Sequence, residues 1–322
     1  MIQVVVNNKD ITQIVEQVTW SGDTKQVARK LAFTVARRES DPYLPKVSID
    51  VGSPVLLQQD GKTLFGGLVF NVEKSASGNT VSYTAYDCMY YVNQSSVSKV
   101  YSGTPEAITR QMCAELGVAC GSLAATGVHI YMPCLGKKAY DVIMMGYTAA
   151  SRRNGLKYMP IVQDVNKVAV VVKGNYCGVV LDGSYNLTEA SYNASLDKLV
   201  NRVLITDKDG KVVDCVEDAS SRAKYGTIQS IYKKEDDKAA RTEARKLLQG
   251  LEQSGSVTAV SDTRAISGYS LAVQEPVTGL YGKFWIESDS HTFSNGKSEM
   301  QLTLAFENLM DEKEIEKESS KK

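Results

Sequence analysis

The chain has 322 residues, 43% of them hydrophobic and 23% charged, and its 37 basic and 37 acidic residues give a formal net charge of zero at pH 7. That length can hold two or three modest cores, and balanced charge provides no field to steer the molecule to nucleic acid, an anionic membrane or a strongly charged substrate. No window approaches the ~18 apolar residues of a membrane helix, and residues 1–10 lack the basic flank and long apolar run of a signal peptide.

Residues 2–87 carry strand signals. Leu31, Phe33 and Val35 alternate with Lys30, Ala32 and Thr34, the period-two pattern of a half-buried strand. Asp60-Gly61 and the run at 77–79 supply the positive-φ residues of tight hairpins. Gly66-Gly67 within a strand reads as a bulge or sharp bend, of the kind that closing a small antiparallel barrel requires.

After Tyr91 the pattern changes. Thr104 as N-cap and Pro105 at the first helical position open a helix with Ile108, Met112 and Leu116 at four-residue spacing, and Gly117 stands at the C′ position. A second helix is predicted over 139–154, with Ile143, Tyr147 and Ala150 on one face, Arg152 and Arg153 in the last turn and Gly155 after it. Strands at 156–162 and 167–172 form a hairpin around Asp164-Val165-Asn166. Strands return at 199–205, 211–216 and 225–232. A further helix is predicted over 235–252, its acidic start suited to the helix dipole, with Ala240, Ala244, Leu247, Leu248 and Leu251 as the buried stripe. The charged tail, 311–322, is expected to be disordered.

One stretch, 51–87, occurs twice. Gly52 and Gly268 are 216 positions apart (268 − 52), and the same offset carries Gln58 onto Gln274, Leu64 onto Leu280, Phe65 onto Tyr281 and Gly66 onto Gly282. It also brings the run 81–86 close to the alternating run 300–306. The expected fold is therefore α+β, mainly β: two similar antiparallel β-barrel domains with an α+β domain between them. Residues 1–92 form the first barrel, open to completion by strands after 185; 93–185 form the α+β domain; 186–310 form the second barrel with helix 235–252.

Groupings that could carry chemistry are few. His291 lies near Asp289 and Ser290, but neighbours along a strand point to opposite faces, so these three are not expected to converge as a triad. His129 with Cys120 and Cys134 lacks the paired spacing and fourth ligand of a zinc site. Asp207-Lys208-Asp209-Gly210 is a fragment of a calcium loop and reads as a hairpin turn. Glu235, Asp236 and Asp237 are expected as solvated capping charge, and Arg152-Arg153 as ordinary last-turn cations that could grip a phosphate or a partner's carboxylate. The 17 tyrosines are spread through strands and form no stacking platform. The six cysteines (Cys88, Cys113, Cys120, Cys134, Cys177, Cys215) read as reduced thiols of a protein made in the cytoplasm. The sequence thus predicts no catalytic, cofactor-binding or metal residue, no cofactor and no enzymatic activity, and it leaves the interface residues unknown. A carboxylate pair of the glycosidase kind leaves little trace in one sequence, so the absence of a motif does not exclude an enzyme.

Several features coincide: the duplicated hairpin unit, the Ala85-Tyr86-Asp87 exit, the 104–117 helix, the run 153–158, the Tyr225-Gly226 strand, the Leu247-Leu248 helix, and Leu280-Tyr281-Gly282 with His291 and the closing run 300–306. Together they resemble the baseplate hub of contractile phage tails, in particular PBSX-type prophage tail proteins and the hubs of phage-tail-like bacteriocins, similar to the T4-like baseplate hub. The resemblance implies two similar barrels per chain and a homotrimer, so that three chains imitate six subunits and adapt a sixfold tail tube to a threefold spike. It implies as partners a second and third copy, the tail tube protein and the central spike protein, with baseplate wedge and tape-measure proteins further out, and no nucleic-acid specificity. The location implied is the baseplate of a virion or phage-tail-like particle, assembled in the host cytoplasm. The alternatives are a tail-associated peptidoglycan hydrolase and the hub part of a secretion-system spike.

Overall fold

The computed structural model describes residues 1–25, 27–37, 47–76, 78–235 and 239–315. It divides into two compact units, residues 1–190 with 256–322, and residues 191–255. The boundaries expected at 92/93 and 185/186 fall within the larger unit. Burial explains this, because the core of the α+β region takes in Val27 from one side and Met310 from the other.

The chain begins with seven strands: β1 (Ile2–Val6), β2 (Lys9–Asp10), β3 (Val15–Asp23), β4 (Lys30–Ala36), β5 (Pro54–Gln59), β6 (Lys62–Lys74) and β7 (Thr80–Tyr86). The α+β region follows, with α1 (Met89–Gln94), β8 (Ser96–Gly103), α2 (Pro105–Glu115), β9 (Cys120–Leu123), β10 (Ile130–Lys138), α3 (Ala139–Asn154), β11 (Tyr158–Gln163) and β12 (Lys167–Val172). Next come β13 (Tyr176–Asp182) and β14 (Leu187–Ser195), then β15 (Arg202–Thr206), β16 (Val212–Glu217), α4 (Ala219–Tyr225), β17 (Gln229–Lys233) and α5 (Ala240–Lys246). The last strands are β18 (Glu252–Val260), β19 (Ser270–Glu275), β20 (Leu280–Ser294) and β21 (Lys297–Ala305).

The duplication is visible in the hydrogen bonding. One module has the strand order β3-β4-β7-β6-β5-β1, the other β14-β18-β21-β20-β19-β13. In each, one long strand serves two partners in turn: β6 lies against β5 and then β7, and β20 against β19 and then β21. Both long strands slip register at one residue in mid-course, Phe70 in β6 and Glu287 in β20. Gly52 and Gly268 both adopt a φ of +90°, and their N–H groups donate to the carbonyls of Val69 (2.8 Å) and Ile286 (2.9 Å). Only glycine enters that conformation at no steric cost. Even the ladder ends agree, Arg37 N–H donating to Asn79 O as Ser261 N–H does to Ser298 O.

The constant spacing of 216 residues holds for one strand only. It carries Pro54–Gln59 onto Ser270–Glu275, but the second hairpin is one residue longer, so Val69 answers to Ile286. Pairing Phe65 with Tyr281 is therefore wrong: Phe65 is 3% exposed and Tyr281 72%. A one-residue shift in a strand turns a side chain to the other face. Each module encloses its own core. Leu31, Phe33, Leu57 and Tyr83 are among those that fill the first, and Leu271, Val273, Ile286 and Leu302 the second. Among the described residues no ladder joins the first strand of a module to its last, so both sheets are open.

In the α+β region, α2 and α3 form where the sequence predicts them. Thr104 accepts from Ala107 N–H as N-cap, and Gly155 closes α3 at φ +73°. β11 and β12 pair around the 164–166 turn. In the smaller unit, β15 lies between β16 and β17 with α5 packed on the sheet, over a core of Val203, Ile205, Val216 and Ala244. Two expectations fail here. Residues 219–225 are helical, so the predicted strand begins only at Gln229, because Asp218 caps a helix by accepting from Ser221 N–H. The predicted helix 235–252 is described only as Ala240–Lys246, and Leu247 and Leu251 are more than a third exposed. Glu252 already starts β18, so the chain must straighten before it.

The tail is also corrected, as far as it is described. Residues 311–315 are seated on α3: Tyr140 Oη–H donates to Asp311 (2.9 Å), Lys313 N–H to Thr148 (3.1 Å), and Arg152 to Glu314 and Glu312. Met310 and Ile315 pack on the core beneath. Residues 316–322 lie outside the described residues.

Candidate functional site

The two modules join along a seam. Residues 288–294 of β20 pair antiparallel with 17–23 of β3, so the two sheets are continuous. Alternation along β20 puts Asp289, His291 and Phe293 inward, and all three are buried. Facing them are Trp20, directly opposite His291, and Arg29 from just before β4.

This seam is held by a buried polar cluster. Arg29 grips Asp289 with both guanidinium ends, at 3.1 and 2.5 Å, and stacks 3.9 Å over the Trp20 ring. Asp289 also accepts from Ser267 N–H at 2.6 Å. His291 Nε2 faces the Ala265 carbonyl at 3.1 Å and so must carry the proton, while Nδ1 accepts from Ser261 Oγ–H at 2.8 Å. Burial holds the His291 pKa below its ordinary value, against the pull of nearby Asp289, which favours the neutral ring. On the other face Thr19 and Thr292 hydroxyls meet at 3.3 Å.

Asp289, Ser290 and His291 do not converge as a triad. Ser290 does point away, but Asp289 and His291 are two residues apart, share one face, and approach to 3.5 Å. The serine that reaches the ring is Ser261, from a loop no local pattern marks. Both acid and ring are fully buried, and the carboxylate and both ring nitrogens are spent on protein partners, whereas Trp20 Nε1 and Arg29 Nε are buried without a hydrogen bond; the cluster reads as a fastening.

A second concavity, a groove of about 360 Å³, runs between the first module and the α+β region. Leu68, Tyr86, Asp87, Cys88, Tyr91 and Val165 line it. Gly66 and Gly67 sit in regular ladder here and make no bulge. A Cβ on Gly66 would lie 2.0 Å from a Val165 methyl, and one on Gly67 2.2 Å from the Tyr86 carbonyl oxygen. The glycines are thus needed for close approach, and the irregularities of β6 fall on either side of them, at Leu64 against β5 and at Phe70 against β7. Beside the groove Phe70, Tyr86, Tyr90 and Tyr91 form a linked ring cluster, so the aromatics are less dispersed than the sequence reading held. Asp87 is buried, accepts from Arg29 and Met89 N–H, and is pushed up to about 7, chiefly by burial.

The other candidates are scattered. His129 is exposed and Cys134 buried, and among the described residues no three His, Cys, Asp or Glu groups are placed to hold a metal ion. Asp207 accepts from Asp209 and Lys211 N–H, so that run is a hairpin turn. Arg152 is occupied by the chain's own Glu312 and Glu314. Asp236 and Asp237 lie outside the described residues.

Comparison with known proteins finds relatives in phage-like elements and prophages. The chain is 25% identical over 312 residues to the phage-like element PBSX protein XkdQ of Bacillus subtilis (strain 168), covering 93% of this chain and 94% of that protein. Its fold matches the 43 kDa tail protein of prophage MuSo2 from Shewanella oneidensis, with a TM-score of 0.72 at 13% identity, over 94% and 97% of the two chains. It also matches the E. coli c3393 protein, a type VI secretion component described as similar to T4 tail proteins gp27 and gp5, with a TM-score of 0.56 at 10% identity, over 94% and 76%. A family model matches residues 18–305, and the chain belongs to the YQBQ-like family.

Proposed function

We propose that this protein is a structural component of a phage-type tail baseplate, acting as its hub: a homotrimer that adapts the sixfold tail tube to the threefold spike. One observation carries the reading. Two modules of equal strand order, joined in one continuous sheet, let a cyclic trimer offer six near-equivalent surfaces. Each module would serve as one barrel-like sixth of the ring. The named relatives support a tail protein, with PBSX and prophage MuSo2 both phage-like. Its place is the baseplate of the particle, beside tube and spike, and its work is mechanical, without turnover.

The test is electron microscopy of the purified chain mixed with the tube protein of its own particle. Rings of three subunits with a pseudo-sixfold outline, stacked on tube ends, are the expected result. Tubes that stay bare would defeat the hub reading. Purified chain should leave a suspension of bacterial cell walls turbid, and clearing would return the hydrolase alternative. The likeness to the type VI component favours a second reading, the hub part of a secretion spike. Recovery of the chain with a secreted spike, and not with tail particles, would select it.

A further inference from the structure

Two of the six thiols are brought together by a tight reversal of the chain. α2 ends at Glu115, and Gly117 turns the backbone with a φ of +66°. Val118 N–H donates to the Cys113 carbonyl at 2.9 Å, which folds the outgoing chain back onto the last turn of the helix. β9 then begins at Cys120 and is pinned there, because Val168 N–H donates to the Ala119 carbonyl at 2.8 Å. α2 packs against β9. Cys113 is buried in the core of the α+β region and Cys120 packs, half-buried, on the same core. The two thiols meet side chain to side chain. Cys88 lies within electrostatic range of Cys113 and is the competing partner.

We infer that Cys113 and Cys120 close into a disulfide when the chain meets a disulfide oxidant, so that the 113–120 turn is a redox-operated staple. The oxidant is a small-molecule disulfide of the oxidised-glutathione class. Half-buried Cys120 gives up its proton, and its thiolate attacks one sulfur of the oxidant and expels the other half as a thiolate. Cys113, as thiolate, then attacks the Cys120 sulfur of the mixed disulfide and expels the second half. Two protein thiols are oxidised, one external disulfide is reduced to two thiols, and the protons of both cysteines end on them. Burial pushes the Cys113 thiol up to about 12, which slows the second step near neutrality and makes it quicken as pH rises. A reducing cytoplasm holds such a pair open, and an oxidising exterior lets the bond persist. Gly117, Val118 and Ala119 of the same turn form one wall of the groove that Leu68 and Tyr86 also line. Closure ties that wall to α2 by a covalent bond.

The test incubates the full chain, native and fully reduced, with oxidised glutathione under mildly alkaline conditions. Remaining thiols are blocked with a maleimide and the digest is mapped by mass spectrometry. Two of the six thiols should be lost, in a single link that joins Cys113 to Cys120. The linked chain should unfold roughly 3–8 °C above the reduced one, as expected for a short closed loop. Cys120→Ser, changed at a half-buried position, should lose none of its remaining thiols to an internal link. A native chain that keeps all six thiols overturns the staple. So does a link that runs through Cys88, a Cys120 left carrying glutathione beside a free Cys113, or loss of a thiol pair from Cys120→Ser.

Discussion

Removing Arg29 should be among the most damaging single changes in the larger unit. Arg29→Ala leaves the Asp289 carboxylate, whose side chain is wholly buried, with only Ser267 N–H and the neutral His291 ring beside it. Breaking one side of a buried pair typically costs about 3–5 kcal/mol, because the remaining charge stays desolvated. Loss of the cation stacked on Trp20 adds roughly 1 kcal/mol. Against a total stability of about 5–15 kcal/mol for an ordinary domain, that is a large fraction. The assay is urea unfolding of Arg29→Ala, Asp289→Ala and the double variant. Each single variant should lose several kcal/mol, and the double variant should fall short of the sum by about 2 kcal/mol or more, since the second change removes a charge already orphaned. Single losses below about 1 kcal/mol, or strictly additive ones, would refute the claim that this pair fastens the modules.

Three further outcomes are expected. Gly67→Ala should destabilise by about 1–3 kcal/mol, because its Cβ meets the Tyr86 carbonyl, which the β6–β7 ladder holds in place; a neutral result in thermal unfolding would contradict the close approach. Met310→Ala, opening a hole where the tail enters the α+β core, should cost about 2–4 kcal/mol and loosen the 311–315 segment to limited proteolysis. Asp87 has a native pKa raised to about 7 against about 3.9 unfolded. The native state then holds the extra proton between those values, so stability should fall as pH rises through that window and level off above it. The ceiling on this change is about 4 kcal/mol. In Asp87→Asn the slope should vanish even if overall stability is lower, and an unchanged slope in matched urea titrations would count against it.

Local pattern alone determined much of this molecule. α2 and α3 were legible because capping and four-residue spacing are properties of a single segment: Thr104, Pro105, Gly117 and Gly155 carry their meaning in the chain itself. The duplication was legible too, since Gly52 and Gly268 each mark the same forced backbone turn. What the sequence could not supply is the joining of the copies. Offsets that drift by one residue after the hairpin are invisible to matching by type, yet one residue decides whether Phe65 lies inside or Tyr281 outside. The fastening was hidden for the same reason. Arg29, Trp20, Ser261, Asp289 and His291 come from separate segments, and nothing local announces that β20 outruns its own module to pair with β3. Gly66 and Gly67 were misread as a bulge because the cause, Val165 and Tyr86 pressed against them, arrives from elsewhere in the fold. Hydrophobic period and turn chemistry act over a few residues and fix which elements form. Pairing of distant strands depends on complementary edges and shared burial, and only the tertiary structure decides it.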